Sequence, residues 1–287
     1  MSTRYFKDML WYWVIPPGVK DLIKQRIQSL KEIRKPISRL CAPNIAYKNI
    51  HQGQRCFIVC SGPSVKKQNL LPLKNEVTFF VSTGFLHPDY SAIQPDYHCV
   101  VDVLPTPKLT GENYVEWYKL MDRNIGDTQL FLSAADEDFI KQNNLFSTRH
   151  VSYLNMGLNW GPYQKTIYDI TKKIPWVQSV PIMAIMIAMY MGCKEIYLLG
   201  VELDEIWCGE YRHFYDNEIM KNDIAVNEYG KSITPLIEMF EINYILWRQF
   251  SILKNIAEAN NVEILNATQG GALDIYKRVK YEDLFNG

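Results

Sequence analysis

Short, predominantly apolar runs recur along the chain, at residues 56–60, 77–81, 97–101, 129–132, 195–199 and 262–265, separated by longer stretches with helical spacing. Runs of this length without polar alternation are those of strands buried on both faces, as in a parallel sheet covered by helices. Residues 179–191 are apolar on nearly every face, with Pro181 in the first turn and Gly192 at the end, which predicts a helix buried on most sides. Residues 233–260 predict a long amphipathic helix closing at Asn260 and Asn261. Strand and helix alternating in this way predict an α/β fold with a mostly parallel sheet, spanning 51–287.

The strand runs end in small or polar residues. Ser61, Gly62, Pro63, Ser64, Val65 and Lys66 follow the first; Ser82, Thr83 and Gly84 follow the second; Asp102 follows the third; Gly200 and Glu202 follow 195–199; and 266–271 follow the last. Open α/β sheets bind ligands beyond the carboxyl ends of their strands, so these loops are expected to converge on one site. Gly62 would let backbone approach a ligand, with Ser61, Ser64 and Thr83 supplying hydroxyls. Ser179, at the start of the buried helix, would offer an anion site among unpaired N–H groups. A polar, aromatic loop, within about 201–232, carries Tyr211, Arg212, His213, Phe214 and Tyr215. His213 reads either as a proton acceptor or as a ring packed between its aromatic neighbours. Asp136, Glu137 and Asp138 spell a D-x-D pattern of metal-dependent sugar transferases, but Ser133 placed just before a helical stretch makes an N-terminal cap the preferred account.

Charge narrows the class of partner. Lys plus Arg and Asp plus Glu both number 31, so no global field favours nucleic acid. The six cysteines are scattered, and Cys56 and Cys60 share a strand at a poor zinc spacing, so a reducing compartment and no structural metal are expected. Residues 9–15 are apolar but stop at Pro16, too short to span a bilayer. The spacing over residues 19–35 then predicts a basic amphipathic helix, with Leu22, Ile23, Ile27, Leu30 and Ile33 on one stripe. An N-terminal extension over 1–50 follows, which either lies on an anionic membrane surface or, the favoured alternative, packs on the main domain. The expected location is the cytoplasm, at the inner face of the cell membrane if the extension docks there.

Taken together, Ser61 to Lys66, Ser179 with its buried helix, and Gly192 to Gly200 resemble the bacterial lipooligosaccharide sialyltransferases. They also resemble the wider set containing the MptE-like 6-hydroxymethylpterin diphosphokinases and the motility-associated flagellin glycosyltransferases, and Asn266, Ala267, Thr268, Gly270 and Gly271 are similar to the MptE-like ending. The resemblance covers residues 54–285 and implies a GT-A variant of the Rossmann-type sheet with a lid. It further implies an inverting glycosyltransferase moving a sialic-acid-like (nonulosonic) sugar from a CMP-activated donor to a glycan or lipid-linked glycan acceptor, in surface polysaccharide or glycoprotein synthesis. On it, Gly62, Ser64 and Thr83 contact the nucleotide, Ser179 its phosphate or cytidine, Tyr211 the leaving phosphate, and His213 is the base; Ser61, Pro63, Ser82, Asp102, Gly200, Glu202 and Arg212, read from the strand ends and the loop, complete the expected nucleotide- and donor-binding set. Val180 stands where the family has glycine, Ser82 or Thr83 replaces an asparagine, and Asp204 falls near the place of a second lid tyrosine.

Residue chemistry agrees with that class. A nucleoside monophosphate leaving group can be stabilised by hydroxyls, helix-end N–H groups and Arg212 without a metal, and a near-neutral histidine suits deprotonation of an acceptor hydroxyl. No cofactor is required, although Mg²⁺ is compatible with the site. Two rivals stand beside it. One is an MptE-like pyrophosphokinase bridging ATP through Mg²⁺ on carboxylates such as Asp102 and Asp204 or Glu202; the other is a non-catalytic assembly partner. A homo-oligomer is compatible with either.

Overall fold

The computed structural model describes residues 37–101, 111–205, 213–215 and 235–286. Among these, β1 (Arg55–Val59), β2 (Val77–Val81), β3 (Tyr97–Cys99), β4 (Gln129–Ser133), β5 (Val151–Leu158), β6 (Lys173–Pro175), β7 (Glu195–Leu199), β8 (Glu263–Asn266) and β9 (Lys277–Arg278) form one sheet. Its order is β6-β5-β4-β3-β2-β1-β7-β8-β9, and every pairing is parallel. The fold is therefore α/β and parallel, as the buried runs predicted, and Rossmann-like. From β1 the chain builds outward to β6, then returns to lay β7 against the other side of β1. The winding reverses between β1 and β7, which is where an open sheet of this class opens a crevice.

Six α-helices are described: α1 (Ile37–Cys41), α2 (Tyr90–Ile93), α3 (Gly111–Asn124), α4 (Glu137–Gln142), α5 (Val180–Tyr190) and α6 (Leu236–Ala259). Period-two alternation in β1 sends Cys56 and Ile58 into a core with α5 and α6, and Phe57 and Val59 into a second core with α2 and α3. Every residue of α5 is buried, as its all-round apolar sequence requires. The amphipathic α6 covers α5, burying Leu246, Phe250, Leu253 and Ile256.

Three strands escaped the sequence pattern for a common reason. β5 contains Ser152, Asn155 and Gly157 and buries only part of its length, β6 is three residues long, and β9 is the exposed pair Lys277 and Arg278. None presents a continuous apolar run. The expected cap is present: the Ser133 hydroxyl accepts from the Ala135 N–H at 3.2 Å, while Asp136 is itself buried.

The amphipathic segment 19–35 lies outside the described residues, as does most of the lid. Residues 37–50, grouped in sequence with the N-terminal extension, belong instead to the main domain. Asn44 donates to the carbonyls of Tyr153 and Ile170 at 2.8 and 3.0 Å, and the Tyr47 and Ser152 hydroxyls are 2.9 Å apart. Buried donors satisfied across the fold in this way mark an integral element rather than a linker. Among the described residues no helix is long and apolar enough to cross a membrane. Cys41, Cys56, Cys60, Cys99 and Cys193 are buried free thiols.

Candidate functional site

A cavity of about 470 Å³ opens at the carboxyl ends of β1, β2 and β7, at the reversal of winding. Ser61, Gly62, Pro63, Ser82, Thr83, Ser179, Gly200, Glu202 and His213 all border it, so most residues singled out in the sequence meet around one space. Ser64 lies behind the wall, buried. Asp102, Tyr211 and Arg212 fall outside the described residues.

The floor is a pair of loops bonded to each other. Cys60 N–H donates to Leu199 O at 2.9 Å and Gly62 N–H to Gly200 O at 3.1 Å, continuing the β1–β7 ladder past the strand ends. Gly200 has φ +67°, and a Cβ there would stand 2.5 Å from Val65 and 2.8 Å from Cys60 O, so glycine is needed for both conformation and space. Gly62 differs from expectation. The space its missing side chain leaves is filled by the Glu202 carboxylate, not kept open for a ligand. Ser64 N–H, which would have faced a phosphate, donates to Glu202 Oε1 at 2.8 Å. Glu202 borders the cavity with its carboxylate turned inward, and burial pushes its pKa up against the hydrogen bonds from Ser64.

The loop after β2 supplies hydroxyls. Ser61 Oγ and Thr83 Oγ1 are 3.2 Å apart on the cavity wall. Ser82 has φ +48°, a left-handed conformation unfavourable for serine by roughly 1–2 kcal/mol. It is held there by His98, whose Nε2–H donates to Ser82 O at 2.8 Å while Nδ1 faces the Tyr90 hydroxyl at 3.0 Å. Complete burial pushes His98 down to about 4, so it stays neutral and keeps this tautomer. His98 carried no signal in sequence because a histidine inside an apolar strand looks like any other; only the register of β3 beside β2 brings it under Ser82.

At the start of α5, Ser179 is the N-cap residue with extended backbone, and its hydroxyl makes no cap bond. Pro181 has no N–H, and that of Ile182 donates to Ser179 O at 3.1 Å. The helix start therefore offers fewer donors than expected, chiefly the Ser179 hydroxyl and the Val180 N–H. Gln249 of α6 fixes this corner by accepting from Gln178 N–H at 2.9 Å.

Residues 213–215 form the far wall. The backbone bends at Phe214 and Tyr215, so that His213 and Tyr215 border the cavity, stacked at 4.6 Å and 10°, while Phe214 is buried against His87 at 5.4 Å. Phe214 N–H donates to Ser61 O at 3.0 Å. Burial lowers the His213 pKa, opposed by a hydrogen bond to the Ser61 backbone. Tyr215 was passed over in sequence; the i, i+2 spacing from His213 is the signal that could have found it. Asp204 and Glu205 also border the cavity, and burial, with Asp204 and Glu202 nearby, raises Glu205. Among the described lining residues there is no Lys or Arg, and among all described residues no cluster of three His, Cys, Asp or Glu is arranged to hold a metal ion.

The 266–271 loop is not part of the wall. Val201 N–H donates to Thr268 Oγ1 at 3.0 Å, Ala272 N–H to Glu202 O at 2.6 Å, and a Cβ on Gly271 would stand 2.5 Å from Glu202 Cα. Its small residues exist to let this loop press against the 200–202 segment from behind. Comparison of the chain with known protein families, with curated proteins and with solved structures finds no match in any of the three.

Proposed function

We propose that the protein is an inverting glycosyltransferase that moves a nonulosonic sugar from a CMP-activated donor to a glycan acceptor. The observation that carries this reading is the meeting of His213, Tyr215, Ser61, Thr83 and Ser179 around one cavity of about 470 Å³ at the β1–β7 switch point, a volume within the range of small-ligand sites. In the reaction the acceptor oxygen attacks the anomeric carbon, His213 takes the hydroxyl proton, and the bond from that carbon to the phosphate oxygen breaks. CMP leaves and the anomeric centre inverts. The hydroxyls of Ser61, Thr83, Ser179 and Tyr215 and the Val180 N–H would turn to the leaving phosphate.

Charge favours a monophosphate over a diphosphate leaving group. Asp204 and Glu205 border the wall and no described Lys or Arg does, which penalises each further negative charge brought in without a counter-ion. CMP is therefore expected to stabilise the full chain against heat with no added metal. At about 100 times its dissociation constant the gain is about 2.7 kcal/mol. A shift seen only with ATP and Mg²⁺, together with AMP as product, would replace this reading by the pyrophosphokinase. Silence toward CMP, CDP, UDP, GDP and ATP alike would leave a non-catalytic partner.

A further inference from the structure

Glu202 sits where three constraints meet. Its Oε1 accepts the Ser64 N–H at 2.8 Å. Its Oε2 is buried and makes no hydrogen bond, and the Ser64 hydroxyl, close enough to the carboxylate to favour its charged form, is likewise buried without a bonded partner. A Cβ built on Gly62 would overlap Oε2 and stand 2.5 Å from the Gly200 carbonyl oxygen, so these two oxygens border the same small space. Two acceptors facing each other in a buried site repel unless a proton lies between them. The Gly200 carbonyl takes one hydrogen bond from Gly62 N–H at 3.1 Å, which leaves its second lone pair for another donor. The ionisable groups facing Glu202 are the Cys60 thiol on β1's end, Asp204 and Glu205. None supplies a positive charge, and no described Lys or Arg borders the cavity.

We infer that Glu202 is a positioning residue held as the neutral carboxylic acid, accepting from the Ser64 amide through Oε1 and donating its Oε2 proton to the Gly200 carbonyl. It thereby straps the loop after β1 to the loop after β7 under the cavity floor. Burial and the neighbouring Asp204 act in the same direction, raising the pKa of Glu202. Ionisation would turn the strap into a repulsion between Oε2 and the carbonyl and loosen Ser61, Gly62 and Gly200 together. The loop is thus closed on the protein's own acid, and its Ser64 amide is not a phosphate ligand.

The strap is testable without any ligand; only the affinity arm below rests on the glycosyltransferase reading. The folded-state pKa lies above the unfolded one, so the contribution of Glu202 is complete below the ordinary value of 4.5 and is lost as pH rises through the raised value. Thermal unfolding of the full chain followed over that range should show wild type losing stability relative to Glu202→Gln, whose amide can both accept from Ser64 and donate to Gly200 at every pH. An infrared difference spectrum of wild type minus Glu202→Gln near neutral pH should carry a protonated-carboxyl C=O band. CMP affinity should fall with rising pH in wild type, stay flat in Glu202→Gln, and drop about tenfold in Glu202→Ala at low pH. A carboxylate band in place of the acid band, or parallel stability curves for wild type and Glu202→Gln, would overturn the inference. The acid band and diverging curves with no CMP binding at all would uphold the strap and sink the proposed donor instead.

Discussion

Gly62→Ala is expected to dismantle the candidate site while leaving the backbone conformation at residue 62 unstrained. Gly62 has φ −68° and ψ 156°, a region open to any residue. The obstacle is space: the new methyl would overlap Glu202 Oε2 and Cδ and crowd the Gly200 carbonyl. Neither neighbour can yield cheaply. The Glu202 side chain is tied to Ser64, and its main chain is pressed from behind by Gly271 and Ala272. Overpacking of this kind costs about 1–3 kcal/mol, and expelling the acid adds the loss of its buried hydrogen bond, about 1–3 kcal/mol more. Chemical denaturation should read a total of roughly 2–6 kcal/mol, with CMP binding lost at temperatures where the variant is still folded. Gly161→Ala is the control, since a Cβ there meets nothing within 4 Å and its φ is not left-handed; it should be neutral or stabilising by up to about 1 kcal/mol. Equal behaviour of the two variants would show that the Gly62–Glu202 contact has no bearing on the site.

The same contact marks the limit of what the sequence discloses. The strands that build the crevice are legible because β1, β2 and β7 are buried on both faces and so need predominantly apolar runs. The small residues after them are legible too, because crowding leaves its trace in composition. What crowds them is not legible. Gly62 reads as room for a ligand and proves to be room for Glu202, which lies 138 positions along the chain from its hydrogen-bond partner Ser64. The 266–271 loop carries the same composition for a different reason, serving the backbone of Glu202 from the back of the wall. His98 shapes the site through one bond to Ser82 O, a contact set by strand register. A polar residue's burial depends on which strand lies beside it, and order in the sheet is not order in the chain.

His213→Ala should lower turnover by about 10²–10⁴-fold if the imidazole takes the acceptor proton, with CMP affinity and thermal stability nearly unchanged. The ring borders the cavity, lies flat on Tyr215, and is hydrogen-bonded to the Ser61 backbone. If that bond is donated by one ring nitrogen to the carbonyl, the other carries the lone pair a base needs. Burial favours the neutral ring, so His213 should be ready to accept a proton at and below the ordinary histidine value of 6.5. The rate should therefore fall only as pH drops through the lowered pKa, and that acid limb should vanish from the residual activity of His213→Ala. Release of CMP from a CMP-activated nonulosonic acid, with glycan acceptor present, is the measurement. Tyr215→Phe provides the comparison: the aromatic stack on His213 survives, only the hydroxyl offered to the leaving phosphate is lost, and the acid limb should stay in place while turnover declines. Near-normal turnover in His213→Ala would move the role of base to Glu205, a cavity carboxylate whose pKa is raised by burial and by Asp204 and Glu202. Activity lost together with early melting would mean that the ring serves the fold of the 213–215 wall and takes no proton.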